Sequence, residues 1–506
     1  MRTLRIAISI SLTALACTGC RFHFLVGAKK PAAASMAELK IDAQKPAAPA
    51  PVAPAKASSK SQIKLASAED VATTAVPSNP GPDPSSLSLD GAIETGLVQN
   101  PDLVSLRQAE GVSAAAFGVA ATYPFNPYVQ VQTTPYQQTP AGGDGVTYHY
   151  VLLIQQVQLA HQQQFREDVA AAQLNQVRWN ICQAELLNTA QTARLYFAAL
   201  YQRGIRDLTR SNAALNVELL RISERQAAAG QITKSDVAIV GIDARSTRQQ
   251  AELAEANYQT ALLDLRRQLN IPLDAPMELT GDLGAFRWIS AHDAAVAQVC
   301  PDGSMTDLKI PDDGHLIRQI AGGRPDLMAA RADIDTAYAN YRLANASRVP
   351  DLQIGPYYQR TADGTYYLGF RAQMDLPVMN DGTPLVRQRV AEQSQRQVFW
   401  EQLLSRVEVD ATAAVDRYER ARKLVEAARP DFTTDLPAEL QRLEAQFKAN
   451  EVDVLRIFQA RTSLIQNRRA SLDLLNELAQ ATAVVTAATG IPPRALVTPA
   501  GKKTEY

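Results

Sequence analysis

Few residues in this 506-residue chain are placed to do covalent or metal chemistry. His149, His161, His292 and His315 lack metal-ligand spacing, so no metal site is expected from them. Cys182 and Cys300 stand far apart in the body and read as inert thiols; a bridge stays open as an alternative in an oxidising compartment. No phosphate-binding glycine loop, GxGxxG or nucleophile elbow occurs, and the many carboxylates fall along what read as solvated helix faces. Neither an enzyme nor a cofactor is expected. Lys and Arg number 51 against 52 Asp and Glu, a net charge of −1, so there is no basic footprint for nucleic acid.

The remaining cysteines carry the one covalent reaction the sequence suggests. Arg2 and Arg5 precede an apolar run from Ile6 to Ala16, too short to span a bilayer but the right size for a signal-peptide core. Cys17-Thr18-Gly19-Cys20 follows. A Cys after a small residue at the end of such a run looks like a bacterial lipobox, with Cys20 the expected lipid site and Cys17 the alternative. Plain secretory cleavage is the competing reading. Residues 1–19 are therefore read as a signal peptide. Residues 20–86 are read as a disordered tether, because Ala, Pro, Ser and Lys dominate and nine of the 28 prolines fall between Pro31 and Pro84. No later stretch approaches the ~18 apolar residues a transmembrane helix needs, so any membrane-spanning part is expected to be β.

The elements that would position anything else are long helices. No proline occurs between Pro140 and Pro272, and apolar residues recur at three- and four-residue steps through Leu174, Val177, Ile181 and Ala184. A single helix over 161–226 would be about 100 Å long at ~1.5 Å per residue. It stops at Ala229-Gly230-Gln231, a plausible left-handed C-cap. Thr233 or Ser235 could cap a return helix running to about Asn270.

The chain also repeats itself. Asn100-Pro101-Asp102-Leu103 returns as Arg324-Pro325-Asp326-Leu327, and Pro127-Tyr128-Val129-Gln130-Val131 as Pro350-Asp351-Leu352-Gln353-Ile354. Gln156-Val157-Gln158-Leu159 returns as Gln373-Met374-Asp375-Leu376. Ala229-Gly230-Gln231-Ile232 returns as Ala449-Asn450-Glu451-Val452, and Asn270-Ile271-Pro272 as Gly490-Ile491-Pro492. Five blocks in one order at nearly constant spacing indicate a tandem duplication, 87–272 and 321–493, joined by 273–320 and followed by a polar tail, 494–506. Each copy reads helix, two strands, long helix, turn, helix. The strands are expected at 128–133, 147–158, 351–359 and 366–376. Tyr148, Tyr150, Tyr357, Tyr358, Tyr366 and Tyr367 mark one end of them, which suits a membrane interface or simply the strand preference of tyrosine.

Strands of this length match the ~9–11 residues that cross a bilayer. Four strands cannot close a barrel, and open edges in lipid are not tolerated. Several chains must then share one barrel, and three would supply twelve strands. If Leu152 faces lipid near the midplane, Leu152→Arg should cost ~2–4 kcal/mol.

These residues resemble the TolC-like outer-membrane efflux family, over about Leu87 to Pro493. The marks are the two Pro-Asp-Leu openings, Leu376-Pro377 with Asp381-Gly382, the hairpin turns at Gly230 and Asn450, and the Ile-Pro endings. The lipobox and Pro437 look most like the lipoprotein, heavy-metal or multidrug branch. The resemblance implies a mainly α chain with a small membrane β part, assembling as a homotrimer. A twelve-stranded barrel in the lipid bilayer would continue as a periplasmic α-helical barrel. A periplasmic adaptor and an inner-membrane RND-type pump would be its partners, and cargo would pass passively to the exterior. The competing reading is a non-channel coiled-coil lipoprotein. By resemblance the turns with Gly230, Thr233, Asp236, Asn450 and Val452 meet the adaptor. There Asp236, Glu451 and Asp453 could form acidic rings, so that Asp453→Ala should weaken cation preference. Asp236 and Asp453 could instead serve only as helix-terminal acids. The sequence departs from the family in its long tether, in Asn450, in Pro430 as a second helix break, and in Leu159-Ala160-His161-Gln162 where a glycine turn is usual.

Overall fold

The structure, a computed structural model, describes residues 86–134, 147–299, 313–361, 363–428, 442, 445 and 454–499. All belong to one compact unit, Val76–Tyr506. Helix α1 (Leu89–Gln99) leads into α2 (Pro101–Ala121), strands β1 (Tyr128–Thr134) and β2 (Tyr148–Val157), the long helix α3 (Gln162–Ala228) and its return α4 (Lys234–Leu269). A connecting region holds β3 (Phe286–Trp288), α5 (Ala291–Val299) and α6 (Asp313–Ala321). The second copy repeats the first as α7 (Pro325–Ala346), β4 (Leu352–Arg360), β5 (Tyr366–Met374), α8 (Thr383–Ala427) and α9 (Val454–Thr489). Helix α10 (Pro493–Leu496) and β6 (Val497–Pro499) close the described chain. No helix among the described residues is long and apolar enough to cross a membrane.

Local chemistry explains the boundaries. Asn100 caps α2, its Oδ1 accepting from the amides of Asp102 (3.0 Å) and Leu103 (3.2 Å), with Pro101 in the first turn. Its Nδ2 donates to Gln268 O at the end of α4 (3.0 Å). In the second copy Arg324 does the equivalent work, donating to Ala488 O near the end of α9 (3.1 Å) and pairing with Asp326 (2.5 Å). The duplication is thus visible as a repeated tie, made with different side chains.

Two buried tyrosines make a second repeated tie. Tyr196 of α3 donates to Thr280 O (2.5 Å) and Leu87 O (3.2 Å); Tyr418 of α8 donates to Ile289 O (2.5 Å) and Leu496 O (3.5 Å). Burial drives both phenols well above their ordinary pKa. Around them the connecting region packs on the shaft through Phe197, Phe286 and Trp288, whose ring centroids lie 5.8–6.2 Å apart. Strand β6 pairs with β3, and Leu496 and Val497 are buried. Residues 494–499, expected to begin a polar tail, are therefore built into this belt.

The long helix spans 67 residues, about 100 Å. Helix α8 ends at Ala427, three residues before Pro430. Cys17, Cys20, the tether, Cys300, Pro430 and Pro437 lie outside the described residues. Cys182 is a free, exposed thiol.

Candidate functional site

The four long strands form one antiparallel sheet in the order β1-β2-β4-β5, so the two copies meet at the β2–β4 seam. Leu153 and Ile154 of β2, and Gly355 and Pro356 of β4, are missing from that ladder, where proline offers no amide. Within the gap, a Cβ on Gly355 would overlap Leu153 O, so only glycine fits there.

Strict alternation and the cross-strand register sort the side chains onto two faces. One carries Val129, Val131, Val151, Leu153, Ile354, Tyr358, Leu368, Phe370 and Met374. These are mostly exposed, Leu368 to 85 % and Phe370 to 81 %. The other carries Gln130, Gln132, Tyr150, Gln156, Gln353, Tyr357, Gln359, Arg371 and Gln373. The Tyr150 and Tyr357 rings lie 5.9 Å apart on this polar face, and Tyr357 covers Gly369. Leu152 belongs to this second face, opposite Gln130 and Tyr357, and is 0 % exposed. That overturns the expectation that Leu152 meets lipid: its neighbours Val151 and Leu153, the latter 42 % exposed, are on the apolar face.

Where the sheet meets the helices, a cavity of about 410 Å³ is lined by Gln156, Gln162, Arg166, Asp351, Gln373 and Asp375, among others. Asp351 accepts from Gln156 (2.8 Å) and Gln162 (3.4 Å). The entry to each long helix needs a left-handed residue. Gly382 supplies it before α8 (φ 75°), and His161 before α3 (φ 57°), filling the place where glycine was missing.

At the far end of the shaft, Gly230 adopts φ 72°, consistent with the expected helix stop. Thr233 rather than Ser235 caps α4. Its hydroxyl accepts from Asp236 N (3.3 Å), while Asp236 Oδ2 accepts from Thr233 N (3.0 Å) and Thr233 Oγ1 (2.7 Å). Those two donors hold the Asp236 carboxyl below its usual pKa range. Asp236 is partly exposed. Asn450, Glu451, Val452 and Asp453 lie outside the described residues.

Sequence reasoning missed one polar layer in the shaft. Arg461 of α9, 4 % exposed, donates to Asn216 Oδ1 (3.1 Å), and Asn216 Nδ2 donates to Thr247 Oγ1 (3.1 Å). Burial pushes the nearby Asp243 carboxyl up, opposed by Arg461. Three helices from both copies are tied there.

No family model matches this sequence, and no curated protein matches it. Solved structures do. The outer-membrane channel OprN aligns with 80 % of this chain and 90 % of its own, at 14 % identity and TM-score 0.61. The Campylobacter jejuni CmeC outer membrane channel aligns over 82 % and 87 %, at 13 % identity and TM-score 0.60. The open state of the Neisseria gonorrhoeae MtrE outer membrane channel aligns over 80 % and 89 %, at 16 % identity and TM-score 0.57. The chain has the TolC-like fold of these channels, a long helical shaft ending in a small β-sheet.

Proposed function

We propose that this chain is the exit duct of a tripartite efflux system. Three copies would close a twelve-stranded outer-membrane barrel, continued by a helical barrel in the periplasm. The observation that carries this reading is the two-faced sheet with two free edges. Its apolar face is exposed, as suits lipid, and its polar face is lined by amides, as suits water. Along the order β1-β2-β4-β5 the strands alternate in direction, so β5 of one copy can pair antiparallel with β1 of the next. Repeating this three times removes every edge, which lipid requires.

The shaft supports the same assembly. Ile239, Ile242, Leu253 and Leu263 are exposed along α4 in the single chain, surface that neighbouring copies would cover. A coiled-coil lipoprotein would account for the helices but not for a sheet with an apolar and a polar face. Lipidation at Cys20, or Cys17, would add an anchor. The turn with Gly230, Thr233 and Asp236, together with Asn450 and Val452, would meet a periplasmic adaptor fed by an inner-membrane RND-type pump. Asp236, Glu451 and Asp453 would line the aperture. Cargo would be small molecules or metal ions passing without chemistry.

The test is reconstitution of the purified full-length protein in planar bilayers. Discrete conductance steps are expected; a protein that inserts without forming any conducting pore contradicts the reading.

A further inference from the structure

We infer that Arg371 gives the barrel section of the duct a charge preference, a ring of three guanidinium groups favouring anionic and zwitterionic solutes over cations of similar size. The inference rests on the barrel reading above and deepens it toward cargo.

Arg371 stands opposite Gly355 in the β4–β5 register, with three further pairs toward the helices and five toward the hairpin turn. It is therefore well inside the sheet and not at its rim. Alternation places it on the amide-lined face with Gln353 and Gln373, and it is exposed there. An arginine at such a depth on the lipid face would destabilise a barrel, so the position itself requires a water-filled side. Its Nη2 donates to Gln373 Oε1 (2.8 Å), which aims the guanidinium along the wall. Gly355 opposite has no side chain to screen it.

Among the described residues Arg371 makes no ion pair. The groups facing it on its own and the neighbouring strands are Gln353, Gln373, Tyr357 and Gly369, none of them acidic. A β1 from the adjoining copy would present Gln130, Gln132 and Thr134, also uncharged. The acids on the same face, Asp351 and Asp375, lie four residues toward the helices, about 13 Å at ~3.3 Å per residue. Arg166 shares their cavity. In the other direction Asp363 sits in the hairpin turn, held by Thr361 and Thr365. At ~0.1 M salt the Debye length is about 10 Å, so neither group cancels the charge at Arg371. Threefold symmetry triplicates that charge in an otherwise neutral stretch of wall, where low-dielectric surroundings focus the field.

The experiment measures the reversal potential of the reconstituted wild-type channel and its variants across a KCl gradient centred near ~0.1 M. Arg371→Glu should lower the anion-to-cation permeability ratio by at least about twofold, with Arg371→Gln intermediate and Arg371→Lys close to wild type. The differences should shrink near 1 M salt, where screening falls to about 3 Å. Arg360→Gln should change nothing, because Arg360 lies on the opposite face, over the Tyr366 ring at 5.4 Å. Should Arg371→Glu fail to assemble, the Gln and Lys variants carry the comparison. Conducting channels whose reversal potential ignores residue 371 overturn this inference while leaving the duct intact. A wild-type protein that conducts nothing overturns the duct reading, and this inference with it.

Discussion

Asp236 was open to two readings in the sequence, an aperture acid or a helix cap, and the structure places it in a reciprocal box with Thr233. Its carboxyl is held low by the Thr233 hydroxyl and amide. A lowered acid contributes stability above the ordinary carboxylate pKa of about 3.9 and loses it as pH falls through the folded value. Hydrogen-exchange protection of the amides of residues 234–237 should therefore hold steady from neutral pH down to about 5 and decline below about 4. In Asp236→Ala it should be lower at neutral pH, lack that decline, and meet the wild-type value at the acid end. Equal protection in both proteins would mean that the cap contributes nothing. Other single residues were not legible at all. Tyr196 and Tyr418 look like core aromatics on a helical period, and the carbonyls they tie are remote in sequence. Arg461 reads as a solvated helix charge, and only the packing of α9 against α3 buries it.

At the scale of elements, the sequence was most legible where its period is long or its blocks recur. The helical hairpin is found at Gln162–Ala228 and Lys234–Leu269, within two residues of the expected long helix. All four strands fall where the duplicated blocks placed them. The faces of β2 were harder, for a physical reason: Val151-Leu152-Leu153-Ile154 is a continuous apolar run, so the period of two disappears. Only its pairing with Gln130 on one side and Tyr357 on the other shows that Leu152 shares the polar face. The sensitive position moves accordingly. Leu153→Arg should destabilise the assembled barrel by ~2–4 kcal/mol if near the midplane, whereas Gln132→Arg, pointing the other way, should cost little. Heat resistance of the oligomer on gels compares them, and equal loss in both would contradict the assignment of faces.

For the whole molecule, the central claim is that one chain is a third of a tube. The free edges of β1 and β5, the exposed apolar sheet face and the exposed apolar side chains along α4 are features a lone chain leaves unsatisfied, and one threefold axis would satisfy them together. The sequence reached this assembly by counting strands, because each copy supplies two and a barrel needs many more. It could not specify the belt around the shaft, where Leu87, Leu279 and Val497 come together from distant parts of the chain. The most direct measurement is imaging of detergent-purified, full-length protein by negative stain. The account predicts hollow tubes about 130 Å long, the sum of a 67-residue helix and a ten-residue strand, with threefold end views. Monomeric particles or solid rods would contradict it.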